Sequence, residues 1–229
     1  MKKILLSLVT MLAAVSMNAQ ETVNMYIQVG STSDAKNIPV TLYLDNTIEI
    51  TALQASFALP TGLGKDNFVE NDDAADTYMV LGDRANKNHE KNTVEMFTNS
   101  KPNDLLLSIT TGTKTGYFSG NSGEVGTFYF DGSSLADGEY QVSMYGASAF
   151  HDASGRYDAG GYHTPDQSAD YKPFEGTATF KVAGGTVTGI ELVKAATTVK
   201  TGIYNIAGQR LNGLQKGINI VNGKKIIVK

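Results

Sequence analysis

The chain has 229 residues, of which 41% are hydrophobic and 18% are charged; it contains no cysteine and has a formal net charge of −4. The lack of cysteine excludes disulfide bonds, thiolate metal sites and a lipid anchor on cysteine. The acidic balance argues against nucleic acid as a main partner, because no basic stripe is present to neutralise phosphates.

The beginning of the chain has the composition of a secretory signal peptide. Lys2 and Lys3 form a positive region, and an apolar run follows from residue 4 to residue 15. This run is short for a membrane span, since a spanning helix needs about 20 apolar residues. Small residues after the run fit cleavage by a signal peptidase. We therefore predict a signal peptide over residues 1–19, a mature chain that begins near Gln20, and no membrane span after cleavage.

The body of the chain, residues 22–183, alternates apolar and polar residues with a period of two, which is typical of half-buried strands. No stretch keeps a helical apolar stripe over four turns, and the best helical candidate is a turn or two around 72–80. Asp137-Gly138 predicts a hairpin between 128–130 and 140–145. Many short strands separated by turn residues predict an all-β fold, an antiparallel β-sandwich or barrel. The predicted strands are 24–29, 38–45, 52–59, 93–98, 105–110, 124–130, 140–147 and 177–182.

Four motifs of the body carry a family resemblance. They are Ile-Thr-Ala-Leu-Gln-Ala-Ser-Phe-Ala-Leu-Pro at 50–60, Asp-Leu-Leu-Leu-Ser-Ile at 104–109, the glycine-rich 118–130, and Asp-Gly-Glu-Tyr-Gln-Val at 137–142. In this order they resemble cohesin-type domains and their relatives among carbohydrate-binding modules. The resemblance implies a cohesin-like sandwich of the jelly-roll type that binds a partner protein module or a polysaccharide. For a cohesin it also implies a binding face on one sheet, which here would include 108–117 and 128–130.

No motif of the body predicts catalysis. Asp72, Asp73 and Asp76 form an acidic cluster, which is either a calcium site or a solvated acidic loop; it lacks the regular spacing of an EF-hand. The spacing of His89, His151 and His163 matches no zinc motif, and no G-x-S-x-G sequence is present. We therefore predict a protein that is not an enzyme and has no cofactor, with calcium as the ion that the sequence leaves open.

The segment 145–174 is rich in aromatic, charged and histidine residues, and the sequence predicts that it is a long loop. Long loops inside compact domains are often functional. Aromatic rings stack on sugars, and Tyr and Arg also anchor protein partners. The alternative is that the tyrosines pack onto the sandwich. The candidate ligand-binding residues are Tyr145, His151, Asp152, Arg156, Tyr157, Tyr162, His163 and Tyr171.

The end of the chain is predicted to contain a linker, residues 184–201, and then a short β module, residues 202–229. The module contains apolar stretches joined by glycine turns, with an Asn-Gly hairpin at 222–223, and it is basic where the body is acidic. It resembles the C-terminal sorting tails on surface and secreted proteins of Bacteroidetes. The resemblance implies type IX secretion, in which sorting machinery at the outer membrane recognises the tail. The alternative is a small hairpin subdomain or the last strands of the sandwich.

Together these features predict an exported, non-catalytic binding module that passes through the periplasm to the outer cell surface or the extracellular space. Its partner would be a polysaccharide or a surface or secreted protein module. Two alternatives remain: a scaffold or adhesin subunit that binds protein without binding glycan, and a glycan-acting or peptide-acting hydrolase that uses Asp152 or Asp158.

Overall fold

The computed structural model describes residues 21–71, 77–85, 87–111, 116–152, 155–190, 203–205, 210–211, 215–221 and 224–228. The predicted signal peptide and the acidic cluster Asp72, Asp73 and Asp76 lie outside these residues. The chain divides into two compact units, residues 1–191 and 192–229. Within the described residues, no helix has both the length and the apolar character needed to cross a bilayer.

The first unit contains two antiparallel sheets. The strands of sheet A are β1 (Val23–Val29), β2 (Ile38–Asn46), β4 (Phe68–Val69), β5 (Met79–Leu81) and β8 (Ser122–Phe130). Those of sheet B are β3 (Ala52–Ala58), β6 (Thr93–Thr98), β7 (Lys101–Ile109), β9 (Gly138–Asp152), β10 (Gly155–Asp158), β11 (Gly161–His163), β12 (Phe174–Ala183) and β13 (Thr186–Gly189). Sheet A has the order β1-β2-β8-β4, and β5 also pairs with β8. Sheet B has the order β11-β10-β9-β3-β7-β6, and β12 pairs with both β9 and β13.

One hydrophobic core lies between the inner faces of the two sheets. The alternation read from the sequence decides which side chains enter it: Leu53, Ala55 and Phe57 of β3 are fully buried, and so are Val40, Leu42 and Leu44 of β2. Aromatic contacts join the sheets, since Phe128 of sheet A lies 4.9 Å from Phe57 of sheet B between ring centroids. The prediction of an all-β antiparallel sandwich is confirmed.

One local prediction for the body is wrong, and another falls mostly on residues that the structure does not describe. The helical turns expected around 72–80 include 72–76, which lie outside the described residues; the described end of the segment is the strand Met79–Leu81, and an α-helix, α1, follows at Lys87–Asn92. Asp137-Gly138 does not close a hairpin, because β8 and β9 belong to different sheets. The segment between β8 and β9 instead crosses from sheet A to sheet B. Phe128 and Phe130 of β8 face the core from sheet A, whereas β9 pairs with β3 and β12 of sheet B.

The body also extends beyond residue 183, where the linker was expected to begin. Gly184 and Gly185 have positive φ angles and turn the chain back, so that β13 pairs with β12. The backbone of Val187 then exchanges hydrogen bonds with Thr32, and a Cβ added to Gly189 would lie 1.8 Å from the carbonyl oxygen of Val29. Glycine at 189 therefore permits the close approach that brings the last strand against the β1 side.

The second unit contains a small antiparallel sheet of β14 (Ile203–Asn205), β15 (Arg210–Leu211), β16 (Gly217–Val221) and β17 (Lys224–Val228). The order of these strands is β15-β14-β16-β17. A buried amide organises it, since Asn219 donates to the carbonyls of Gln215 and Gly217 and accepts from the backbone of Gln215. The strands that flank the predicted Asn-Gly hairpin pair through Val221 and Lys224.

Candidate functional site

The segment 145–174, predicted to be a loop, is mostly regular structure. It contains the end of β9, the β10–β11 hairpin and a short 3₁₀ helix, Pro165–Asp170. β9 has a bulge at Gly146, where φ is 61°; it pairs with β12 as far as Ala147 and with β10 from Ala149 onward. Five of the six candidate tyrosines and histidines are therefore held on strands, and pleating divides them between two faces of sheet B; the sixth, Tyr171, lies between the 3₁₀ helix and β12.

Tyr157 and Tyr162 lie on the inner side of the sheet. They are cross-strand partners, and their ring centroids are 5.0 Å apart. Tyr157 is buried, and its hydroxyl donates to the carboxylate of Glu21 at 2.8 Å. Tyr162 is 42% exposed. Tyr157 thus packs as a core residue, the alternative considered for the tyrosines of this segment.

Asp158 and His163 form a buried structural pair. The Asp158 carboxylate lies 3.0 Å from His163 Nε2 and accepts backbone N–H bonds from Gly160 and Lys172. These contacts close the β10–β11 hairpin onto the following segment. Asp158 is only 3% exposed, so this carboxylate is occupied as a hydrogen-bond acceptor. Asp152 lies at the end of β9, and its side chain is outside the described residues.

His151 lies at the end of the sandwich. Its Nδ1 atom is 2.6 Å from the carbonyl oxygen of Glu49, and its ring is parallel to that of Tyr117 with centroids 6.2 Å apart. In the described residues no group of three His, Asp or Glu side chains is placed to hold a metal ion. Neither this histidine nor His163 therefore has neighbours that would complete a metal site there.

The same end of the sandwich contains a fully buried histidine, His89. Its Nε2–H donates to the carbonyl of Thr51 at 2.9 Å, and its ring stacks on Phe118 with centroids 4.0 Å apart. Burial lowers the pKa of His89 from its ordinary value of 6.5, because it penalises the charged imidazolium. The folded state therefore favours neutral His89.

We expect this histidine to make the fold sensitive to acid. The unfolded chain takes up the proton at a higher pH than the folded chain, so the stability from neutral His89 is complete above about pH 6.5 and is lost as the pH falls below it, by at most about 1.4 kcal/mol per unit. Urea unfolding of wild type and His89→Gln at pH 7.5 and pH 5.5 measures this. The variant should lose less stability on acidification, whereas equal losses in the two proteins would contradict the assignment.

The remaining candidates lie on the outer face of sheet B. Tyr145 donates its hydroxyl to Asp104 at 2.7 Å, and the Lys101 ammonium lies 5.5 Å from the centre of its ring. Burial, together with the hydrogen bond to Asp104 and its charge, raises the pKa of Tyr145 to about 12. The tyrosine therefore remains a donor at neutral pH, and Asp104 fixes the direction of its ring.

Tyr171 and Arg156 continue this face beyond the bulge. The Tyr171 hydroxyl donates to the carbonyl of Gly146 at 3.0 Å, and the Arg156 guanidinium lies 3.7 Å from the centre of the Tyr171 ring. Cation–π attraction of this kind holds the guanidinium over the face of the ring. Of the eight candidates, the structure brings Tyr145, Arg156 and Tyr171 together on the outer face.

The candidate residues chosen from the sequence do not include the part of this outer face that β6, β7 and β3 form. Register places two rows of side chains across these strands and β9. Val94 and Met96 are each 44% exposed, and Leu106 is half-buried. None of the eight side chains is charged. One row is Val94, Ser108, Gln54 and Ser148, and the other is Met96, Leu106, Ser56 and Tyr145.

The expectation that 108–117 and 128–130 contribute to one sheet face is wrong, because Ser108 belongs to sheet B and 128–130 belongs to sheet A. Phe128 and Phe130 are fully buried, because β8 turns them into the core from sheet A. Ser108 does lie on the outer face of sheet B, while residues 112–115 are outside the described residues. The alternation of Thr-Val-Glu-Met-Phe-Thr at 93–98 could have predicted this apolar surface. It puts Val94 and Met96 on the face opposite Glu95 and Phe97.

No known family model matches the chain, and no curated protein matches it significantly. Among solved structures, it is similar to a type I cohesin of Clostridium thermocellum in complex with a dockerin, with 15% identity, a TM-score of 0.43, and coverage of 67% of this chain and 96% of the other. A cohesin from scaffoldin B of Acetivibrio cellulolyticus, also in complex with a dockerin, has 13% identity and a TM-score of 0.44. The match covers 68% of this chain and 96% of the other. A non-cellulosomal cohesin of Archaeoglobus fulgidus has 13% identity and a TM-score of 0.38. The match covers 68% of this chain and 88% of the other.

Proposed function

We propose that this protein is a non-catalytic binding module that takes a protein partner on the outer face of sheet B. The observation that carries the proposal is the pair of uncharged rows across β6, β7, β3 and β9, with Val94 and Met96 exposed beside Leu106. Antiparallel sheets can leave one face to water, but such faces then usually carry polar residues. Exposed apolar side chains with charges kept to the margin are typical of protein interfaces.

The margins of this face favour a protein over a glycan. Tyr145 and Arg156 are of the residue types that anchor protein interfaces, and each is fixed by a neighbour, Asp104 and Tyr171 respectively. Fixed side chains lose little rotamer freedom on binding. The strands between these anchors present Ser56 and Ser108, whose side chains are short enough for a partner to approach the sheet closely, and Gln54, whose amide can donate and accept hydrogen bonds.

The module would act outside the cell. The signal peptide predicted at residues 1–19 supports export, and the separate compact unit at 192–229 supports a tail that sorting machinery could recognise on its own. In the described residues of that tail the charged side chains are Arg210, Lys216, Lys224 and Lys225, all of them cationic. Delivery to the surface by a type IX route is the specific form of this proposal.

Three charged variants, two on the outer face of sheet B and one on the outer face of sheet A, test the binding proposal. Purified chain lacking residues 1–19 is used to capture proteins from the surface and secreted fractions of the source organism, and a captured protein is then purified and titrated calorimetrically. Met96→Glu and Leu106→Glu should weaken the complex by at least about 30-fold, because an unpaired buried charge costs at least about 2 kcal/mol. Val80→Glu is the matched control, since Val80 is 43% exposed on the other sheet.

The control should bind like wild type. If all three variants bind the purified partner as tightly as the wild type does, the interface lies elsewhere. Loss of binding in Val80→Glu alone would move it to sheet A.

A further inference from the structure

The outer face of sheet A has a chemistry different from that of sheet B. Register aligns Gln28, Thr41, Thr127 and Val80 in one row across four strands. A second row contains Tyr26, Tyr43 and Glu124, and a third contains Asn24, Asp45 and Ser122. Aromatic, hydroxyl, amide and carboxylate groups thus predominate on this face, with Val80 at its margin.

Contacts within these rows hold the side chains in place. The rings of Tyr26 and Tyr43 stack with centroids 5.0 Å apart and planes 6° from parallel. The hydroxyls of Thr41 and Thr127 lie 2.8 Å apart. Ser122 donates its hydroxyl to Asp45 at 2.5 Å. An ordered set of polar groups loses less entropy on binding than a mobile one.

The charges of the three rows have one sign. Asp45 and Glu124 are carboxylates, and none of the ten residues is a lysine, arginine or histidine. The surrounding body is also acidic, with 10 Lys and Arg against 22 Asp and Glu between residues 21 and 190. This face therefore repels anionic polymers, while its carboxylates can accept hydrogen bonds from neutral hydroxyl groups.

We propose that the outer face of sheet A binds a neutral, extended glycan through Tyr26, Tyr43 and the polar rows beside them. The rings offer apolar contact to sugar C–H groups, and Thr41, Thr127, Gln28 and Glu124 offer hydrogen-bond partners to hydroxyls. Neighbouring strands lie about 4.8 Å apart, so an extended chain that runs across the strands can meet the side chains of several strands in turn. This site is separate from the protein-binding face of sheet B.

The location differs from the one expected from the sequence, which was the segment 145–174. There Tyr157 is buried with its hydroxyl on Glu21, and Tyr171 is covered by Arg156. Tyr162 is the exposed tyrosine of that segment. It therefore serves as a matched control for loss of a tyrosine ring at the surface.

Affinity electrophoresis of the chain lacking residues 1–19 tests the proposal. The probes are hydroxyethyl cellulose, arabinoxylan and glucomannan as neutral polymers, and polygalacturonate as the anionic one. We expect retardation by at least one neutral polymer and none by polygalacturonate. Tyr26→Ala/Tyr43→Ala should weaken the retained interaction by at least about tenfold, and Tyr162→Ala should leave it unchanged.

A second variant covers the case in which the double substitution unfolds the protein. Glu124 is exposed, and Glu124→Lys should keep the fold while lowering affinity for the neutral polymer several-fold. Absence of retardation by all three neutral polymers would overturn the proposal. Retention that is unchanged in the sheet A variants, or stronger for polygalacturonate, would also overturn it. Because Met96→Glu and Leu106→Glu lie on the other sheet, they should not affect glycan binding.

Discussion

Replacing Arg84 by methionine is expected to lower the free energy of unfolding by about 3–5 kcal/mol. Arg84 is 7% exposed, and its guanidinium donates to backbone carbonyls of Leu44, Ser119, Gly120 and Gly123 and to the side-chain oxygen of Asn46. Methionine fills similar space without a donor. The carbonyls would then be left without this partner, and each buried unsatisfied group costs about 1–3 kcal/mol.

Urea denaturation followed by circular dichroism measures this loss. Arg84→Lys keeps one cationic group but cannot present the planar fork, so we expect an intermediate loss. Lys181→Met, on an exposed position of β12, is the control and should change stability by less than about 0.5 kcal/mol. If Arg84→Met were as stable as the control, the guanidinium would not be what holds the turn at 119–123 against β2.

Truncating Phe128 to alanine is expected to cost about 3–5 kcal/mol. Phe128 is fully buried on β8, and its ring contacts Phe57 at 4.9 Å and Phe68 at 5.6 Å between centroids. Phe57 belongs to the opposite sheet, so the substitution opens a cavity at the centre of the sandwich. Thermal and urea unfolding of Phe128→Ala measure the effect.

The control for this prediction is Val80→Ala. Val80 lies on β5, which pairs with β8, but its side chain faces solvent. We expect a change of less than about 0.5 kcal/mol in that variant. A small loss in Phe128→Ala combined with impaired partner binding would instead favour the interface position that the family resemblance implied for 128–130.

The fold was largely predictable because strand alternation is local. In β2, every second residue from Ile38 to Asn46 is buried, as the pattern of that stretch indicates. The same local rule places Leu53, Ala55 and Phe57 together in the core. A period of two does not say which sheet a strand joins, which is why the hairpin at Asp137-Gly138 was wrongly expected.

The candidate site was less predictable. Aromatic and charged residues are conspicuous in 145–174, but composition does not show that Tyr157 points inward while Arg156 points outward. That difference depends on pairing with β9 after the Gly146 bulge. Val94, Met96 and Leu106 are ordinary strand residues in the sequence, and only the position of β6 at the edge of sheet B leaves Val94 and Met96 exposed on its outer face.

The sequence by itself determined the class of fold, the alternation of core residues, the absence of disulfides and the division into an acidic body and a basic tail. These properties follow from composition and from the period of a strand, both of which are local. Only the tertiary structure decided which faces remain uncovered, that Arg84 is buried among carbonyls, and that Tyr26 stacks on Tyr43. Such features depend on strands distant in the sequence, whose order and register are set by how the two sheets close one core.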